Sequence, residues 1–258
     1  MKMKRMFASP KCLVSCVVAL GLLSSAISAE PFSGGDIKKG DLEIKITNTG
    51  VLETINYKGK KIIANSGICT TGSAKDEWKP WVPQAWGKEM KMESEDTPEA
   101  LTFTAKGILK SKELEGTSSF NVKTTIDASG KIRLACSVET DTAGLWKRCG
   151  SGFRLDTSII GVPKYSSDGG EQKQVPEVKK SRNLVQGAST IEIEGTDCII
   201  KFTFEGIKAY LFDNRKENSS LLLLEFNNSP AEIVDERGGK KYGSSYTVTI
   251  EVKDKPAK

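Results

Sequence analysis

The stretch "DLEIKITNTGVLETINYKGKKIIA", residues 41–64, decides the fold class. Leu42, Ile44 and Ile46 alternate with Glu43, Lys45 and Thr47, the period-2 pattern of a strand with one buried and one wet face. "NTG" turns the chain, and the remainder reads as two strands around a tight turn at Lys58–Gly59. The same style runs outward along the chain. "LTFTAKGIL", "SSFNVKTTID", "KIRLACSVET" and "SGFRLDTSII" follow, with "ASG" (Ala128–Gly130) as a hairpin turn. "STIEIEG", "CIIKFTFEG", "IKAYLFD", "SSLLLLEFN" and "SYTVTIEVK" complete the series. Helical periodicity is missing; only "SEDTPEA" (94–100) has the composition for one short turn. Frequent short strands with turn signals between them predict an all-β protein, a large antiparallel β-sandwich of the supersandwich kind with few or no helices. Two irregular stretches interrupt it, Cys69 to Glu99 and Pro163 to Gly187. Loops of that length are commonly functional.

The first 29 residues read differently. A basic start (Lys2, Lys4, Arg5, Lys11), an apolar run from Cys12 to about Ala26 and a small-residue end predict a secretory signal peptide cleaved after Ala29. "LVSC" resembles a lipobox that would lipidate Cys16, but its apolar run lies on the wrong side. The expectation is a bacterial protein exported to the periplasm or beyond, with residues 30–258 as one sandwich domain and no stable membrane insertion after cleavage. The chain's net charge is +5, and the leader holds four basic residues and no acidic one. The remainder is close to neutral, which excludes the basic field expected of a nucleic-acid binder. Lysine clusters at 38–40 and 58–61 read as solvated turns.

The chain contains no histidine. That excludes Ser-His-Asp and Cys-His triads and histidine-ligated zinc. No cofactor and no metal are indicated; Cys69, Cys136, Cys149 and Cys198 lack a CxxC spacing, and suit either disulfides or buried small apolar positions. Any catalysis must use carboxylates, Tyr, Lys or Arg, and the balance leans against an enzyme. Strand-end carboxylates Asp156, Asp168, Glu205, Asp213 and Glu225 are candidates, but sequence cannot pair them as glycoside hydrolysis requires. Tyr165 with Lys164 would be a lyase pair.

Two stretches are candidate ligand sites. "EWKPWVPQAW", residues 77–86, carries Trp78, Trp81 and Trp86 with two prolines between them, which forbids a helical stripe. Indole faces stack on sugar C–H faces, and proline stiffens the loop that presents them. The same rings suit a cover over an open edge of the sandwich. "DNR" (Asp213, Asn214, Arg215) can hydrogen-bond sugar hydroxyls or a uronate, and equally suits a turn.

The cadence "IIGVPKY…VPEVKKSRNLVQGASTIEIEG…CIIKFTFEG…AYLFDNR…LLLLEFNNSP", with Pro176, Gly187–Ser189 and Asp213–Arg215, resembles β-sandwich modules that precede catalytic barrels in bacterial glycoside hydrolases. "GDLEIKITNTGVLETINYKGKKII" is similar to sandwiches of the galactose mutarotase-like superfamily. The resemblance implies a carbohydrate-associated sandwich. Its departures are the lack of a barrel after the sandwich and of the histidine on which the superfamily's mutarotases depend. The expectation is therefore non-catalytic binding of a polysaccharide or glycan through the tryptophans. The alternatives are a structural or protein-interaction sandwich docking to a separate enzyme, and a histidine-independent lyase or hydrolase.

Overall fold

The computed structural model describes residues 30–31, 34–65, 67–71, 81–111, 117–140, 148–178, 182–215, 219–228, 231–234 and 240–256. Residues 1–29 with Cys16, Trp78 and residues 235–239 lie outside the described residues. Two large sheets account for almost everything else. In the first, the strand order is Glu30–Pro31, Lys88–Asp96, Ala100–Lys110, Thr117–Asp127, Ile132–Thr140, Lys240–Asp254, Cys198–Glu205, Thr190–Glu194, Lys164–Ser167 and Lys173–Gln174. Ala231–Val234 pairs with Lys240–Asp254 as a branch. In the second, the order is Arg182–Ala188, Ala209–Asp213, Leu221–Asn228, Arg148–Asp156, Lys60–Asn65, Leu52–Tyr57, Leu42–Ile46 and Gly35–Lys39. A small hairpin, Cys69–Thr71 with Trp81–Pro83, attaches to the start of Arg148–Asp156. Every pairing among the described residues is antiparallel. The fold is the large antiparallel sandwich that residue alternation predicts.

Alternation supplies the core. Ile44 and Ile46, Phe120 and Val122, Ile132 and Leu134, and Phe202 and Phe204 each occupy every second position and are buried. Phe153 and Phe226 from the second sheet meet Phe202 and Phe204 from the first at centroid distances of 5.5 and 5.3 Å. Offset aromatic contacts of this kind add to the burial that joins the sheets. The 58–59 turn is as expected: Lys58 and Gly59 both have positive φ, the twist that a two-residue hairpin needs.

Several expectations are corrected. "SEDTPEA" is no helical turn: Lys88–Asp96 is a strand, and Thr97 Oγ1 ties the turn by donating to the Ala100 carbonyl. The run "SGFRLDTSII" ends in a helical turn, Thr157–Ile160, because the Asp156 carboxylate accepts from the Ser158 amide and caps it. The two irregular stretches contain short strands, since buried backbone must find partners even where side chains do not alternate. Cys136 and Cys198 are buried free thiols, so they behave as small apolar residues. Cys149 is fully buried, and the side chain of Cys69 lies outside the described residues.

Candidate functional site

The five candidate carboxylates separate cleanly, and Glu225 falls within the strand Leu221–Asn228 instead of at its end. Asp156 is occupied as the cap of the helical turn and also accepts from Ser220 Oγ. Asp168 accepts from the Ser189 and Thr190 amides and so ties two chain segments together. Glu205 is exposed on the far face of the first sheet. Asp213 is 0% exposed. Only Glu225 stands half-buried on the outer face of the second sheet with its carboxyl pushed up from the ordinary range, by burial first, against the opposing charge of Arg148.

"DNR" is not a ligand site. Arg215 (1% exposed) donates through Nε and Nη2 to the Asp213 carboxylate at 2.8 and 3.0 Å. Its Nη2 also reaches the Pro176 carbonyl. The pair therefore holds the Pro163–Gly187 stretch against the sheet, out of reach of a ligand. Burial alone would push the Asp213 carboxyl up, but the hydrogen bonds and charge of Arg215, with Arg182 beyond, bring it below its ordinary value. Asn214 uses its backbone amide to bond the Leu221 carbonyl. Tyr165 is buried while Lys164 is exposed, as successive strand residues must be, so no lyase pair forms.

The two outer faces differ in chemistry. That of the first sheet is polar, with Asn121, Lys123, Ser137, Ser245 and Thr247 in its middle. That of the second carries half-buried Tyr210, Phe212, Leu221 and Leu223, positions where alternation would put polar groups. Tyr210 and Phe212 stack at 6.4 Å. Register places Glu225 in this apolar field, directly between Tyr210 and Gly152. A Cβ on Gly152 would meet Leu224 O and Glu225 Cγ at 3.4 and 3.6 Å, ordinary contact. Nothing in the described packing demands glycine there, and its lack of a side chain keeps the position beside Glu225 small. Gly150 is different: a Cβ would come to 2.0 Å from the Phe226 carbonyl oxygen, so the strand pairing itself requires it. Asn227 is the partner of Gly150, and its Oδ1 accepts from Arg148 Nη1 at 3.1 Å. That face therefore carries Glu225, the Arg148 guanidinium, the Asn227 amide and the Tyr210–Phe212 pair, with exposed Arg154 opposite Leu223 and Asp156 opposite Leu221.

Trp81 and Trp86 expose 42% and 60% of their surface and meet edge to face, with centroids 6.0 Å apart and planes at 74°. They face outward and do not cover an edge. Gln84 between them is buried; its Nε2 donates to Thr49 O and its Oε1 accepts from Ile68 N. Trp81 and Arg148 are both register partners of Thr71, which puts them on one face of the sheet, two strands apart.

A cleft of about 680 Å³ lies elsewhere, at one end of the sandwich, lined by Tyr57, Lys58, Lys60, Asp197, Cys198 and Asp254. Its charges already satisfy one another. Lys58 pairs with Asp254 and Lys60 with Asp197, both at 2.5 Å, and Tyr57 donates to Asp254 at 2.8 Å. Burial first, then the Asp254 bond, pushes the Tyr57 hydroxyl up to about 12. This is an ion-pair seam between the sheets, and the lysine cluster at 58–61 is part of it.

Sequence reasoning named Glu225 but missed Arg148, Asn227, Tyr210 and Gly152. The available signal was "LLLLEF" beside "AYLF": strands apolar on both faces in a sandwich that has only one core.

Among solved structures, the chain is similar to a galactose 1-epimerase from Lactobacillus acidophilus NCFM, with a TM-score of 0.55 at 8% identity over 89% of this chain and 99% of that one. It is also similar to a GalM/aldose epimerase homologue from C. elegans, with a TM-score of 0.52 at 11% identity over 86% and 100%. The chain shares the sandwich fold of these two proteins. No protein-family model matches the chain, and no curated protein matches its sequence. These similarities correct one expectation. A sandwich without a barrel suggested a non-catalytic role, yet this sandwich spans essentially the whole length of a protein described as an epimerase. Lack of a barrel is therefore no argument against catalysis.

Proposed function

We propose that the protein interconverts the anomers of an aldose at the outer face of its second sheet, with Glu225 as the proton-transferring group. The observation that carries this reading is the position of Glu225, the one of the five candidate carboxyls set half-buried among apolar side chains, opposite Gly152 and near Arg148. The sandwich fold, shared with proteins described as epimerases, supports it.

Ring opening needs a proton delivered to the ring oxygen and one taken from the anomeric hydroxyl as the C1–O5 bond breaks. Without histidine, one carboxyl performs both transfers. The protonated oxygen donates to the ring oxygen while its other oxygen accepts the hydroxyl proton, and the group ends as the same neutral acid. Rotation about C1–C2 and closure by the reverse transfer give the other anomer. Burial serves this chemistry because it favours the protonated form that must start the step. Arg148 and Asn227 offer donors to sugar oxygens, and Tyr210 with Phe212 offers a floor for the apolar sugar face.

The test is anomer exchange of glucose and galactose, followed by polarimetry and by NMR exchange spectroscopy. The wild type accelerates exchange, and Glu225→Gln lowers the rate about 100-fold or more, the usual worth of a positioned acid–base group. No acceleration with any aldose refutes the proposal.

A further inference from the structure

We infer that the Trp81–Trp86 pair is a second sugar subsite on the same face, so that the substrate is an oligosaccharide engaged at its reducing end. The inference rests on the reading of Glu225 as the reaction centre. Trp81 shares a register row with Arg148, and Glu225 lies one strand further and four residues along, opposite Gly152. Three strand spacings and four residue rises separate Trp81 from Glu225 by roughly 20 Å. A single pyranose cannot touch both, whereas a short saccharide chain laid across the sheet can.

The pair is built for a small flat ligand rather than for a protein. Two partly exposed indoles present on the order of 250 Å², well below the roughly 800 Å² per partner that a stable protein contact takes. Among the described residues, their neighbours Lys88 and Glu89 are exposed and charged and do not extend the apolar patch. The rings are also held before any ligand arrives. Val82 and Pro83 are buried beneath them, the Gln84 amide donates to Ile68 O at 2.7 Å, and the edge of one indole rests on the face of the other. Preorganisation of this kind spares the entropy of ordering two large side chains on binding.

The experiment is calorimetric binding of glucose, cellotetraose and maltotetraose to the Glu225→Gln protein, together with anomer-exchange rates of the same sugars on the wild type. A tetrasaccharide of at least one linkage binds about tenfold more tightly than glucose, the worth of one to two aromatic stacks. Trp86→Ala and Trp81→Ala remove that preference, and Trp86→Phe retains part of it. Equal binding of glucose and both tetrasaccharides overturns the subsite, as does a preference that survives both alanine variants. A tryptophan-dependent preference in a wild type without anomer exchange upholds the subsite and overturns the reaction assigned to Glu225. Exchange without the preference does the reverse.

Discussion

Glu225 carries a linkage of definite sign. Its carboxyl is pushed up in the folded protein, so the native state binds the proton more tightly than the unfolded chain. The stability it contributes is present below its ordinary value of 4.5 and is lost as pH rises through the folded value. Glu225→Gln is therefore expected to raise the melting temperature at neutral pH, with a gain that shrinks as pH falls below that value. Thermal unfolding of both proteins across pH 3.5–8 measures it. A buried pair behaves in the opposite way when one partner is removed. Asp213→Ala strands the Arg215 guanidinium in the interior and costs about 3–5 kcal/mol in urea unfolding, whereas the double change Asp213→Leu with Arg215→Met recovers most of the loss. If the single variant is harmless, the clamp on the Pro176 carbonyl is not structural.

At the scale of elements, two glycines of one strand have opposite tolerances. Gly150→Ala drives a Cβ into the Phe226 carbonyl and loosens the pairing of Arg148–Asp156 with Leu221–Asn228, at about 1–3 kcal/mol. Gly152→Ala makes only ordinary contacts and leaves stability unchanged or raises it slightly. Gly152→Leu is expected to fold, as circular dichroism and melting will show, and yet to slow anomer exchange by placing a bulky side chain against Glu225. Loss of exchange with an intact fold separates a ligand-facing position from a packing position. Register also argues against glycoside hydrolysis. Asp156 pairs with Leu221, four residues from Glu225 along the strand, a separation of about 13 Å, whereas the paired carboxylates of hydrolysis lie about 5–10 Å apart.

For the whole molecule, the seam at the end of the sandwich joins the sheets through charge. Lys58 and Lys60 come from a hairpin of the second sheet, Asp197 and Asp254 from the first. These groups are about half exposed, so their attraction is modest and screened by salt. Asp197→Asn with Asp254→Asn is expected to lower the melting temperature slightly at low ionic strength, and the difference from wild type should vanish in molar salt. Fold class was legible in the sequence because strand alternation is local: Leu42, Ile44 and Ile46 need only the next residues to declare a buried face. Absence of histidine was legible too, and it narrows the chemistry to carboxyl, hydroxyl and cationic groups. Tertiary structure alone separated the carboxyls from one another. Five candidates look alike in sequence, and what separates them is whether a neighbouring amide, an arginine or an apolar face surrounds each one. Partners such as Arg148 and Tyr210 reach Glu225 only through strand pairing, and desolvation is a property of the surroundings that pairing creates. Likewise "EWKPWVPQAW" declared large rings on a stiff loop, but buried Gln84 and the pairing of Thr71 with Arg148 turned Trp81 and Trp86 outward onto the face that holds Glu225.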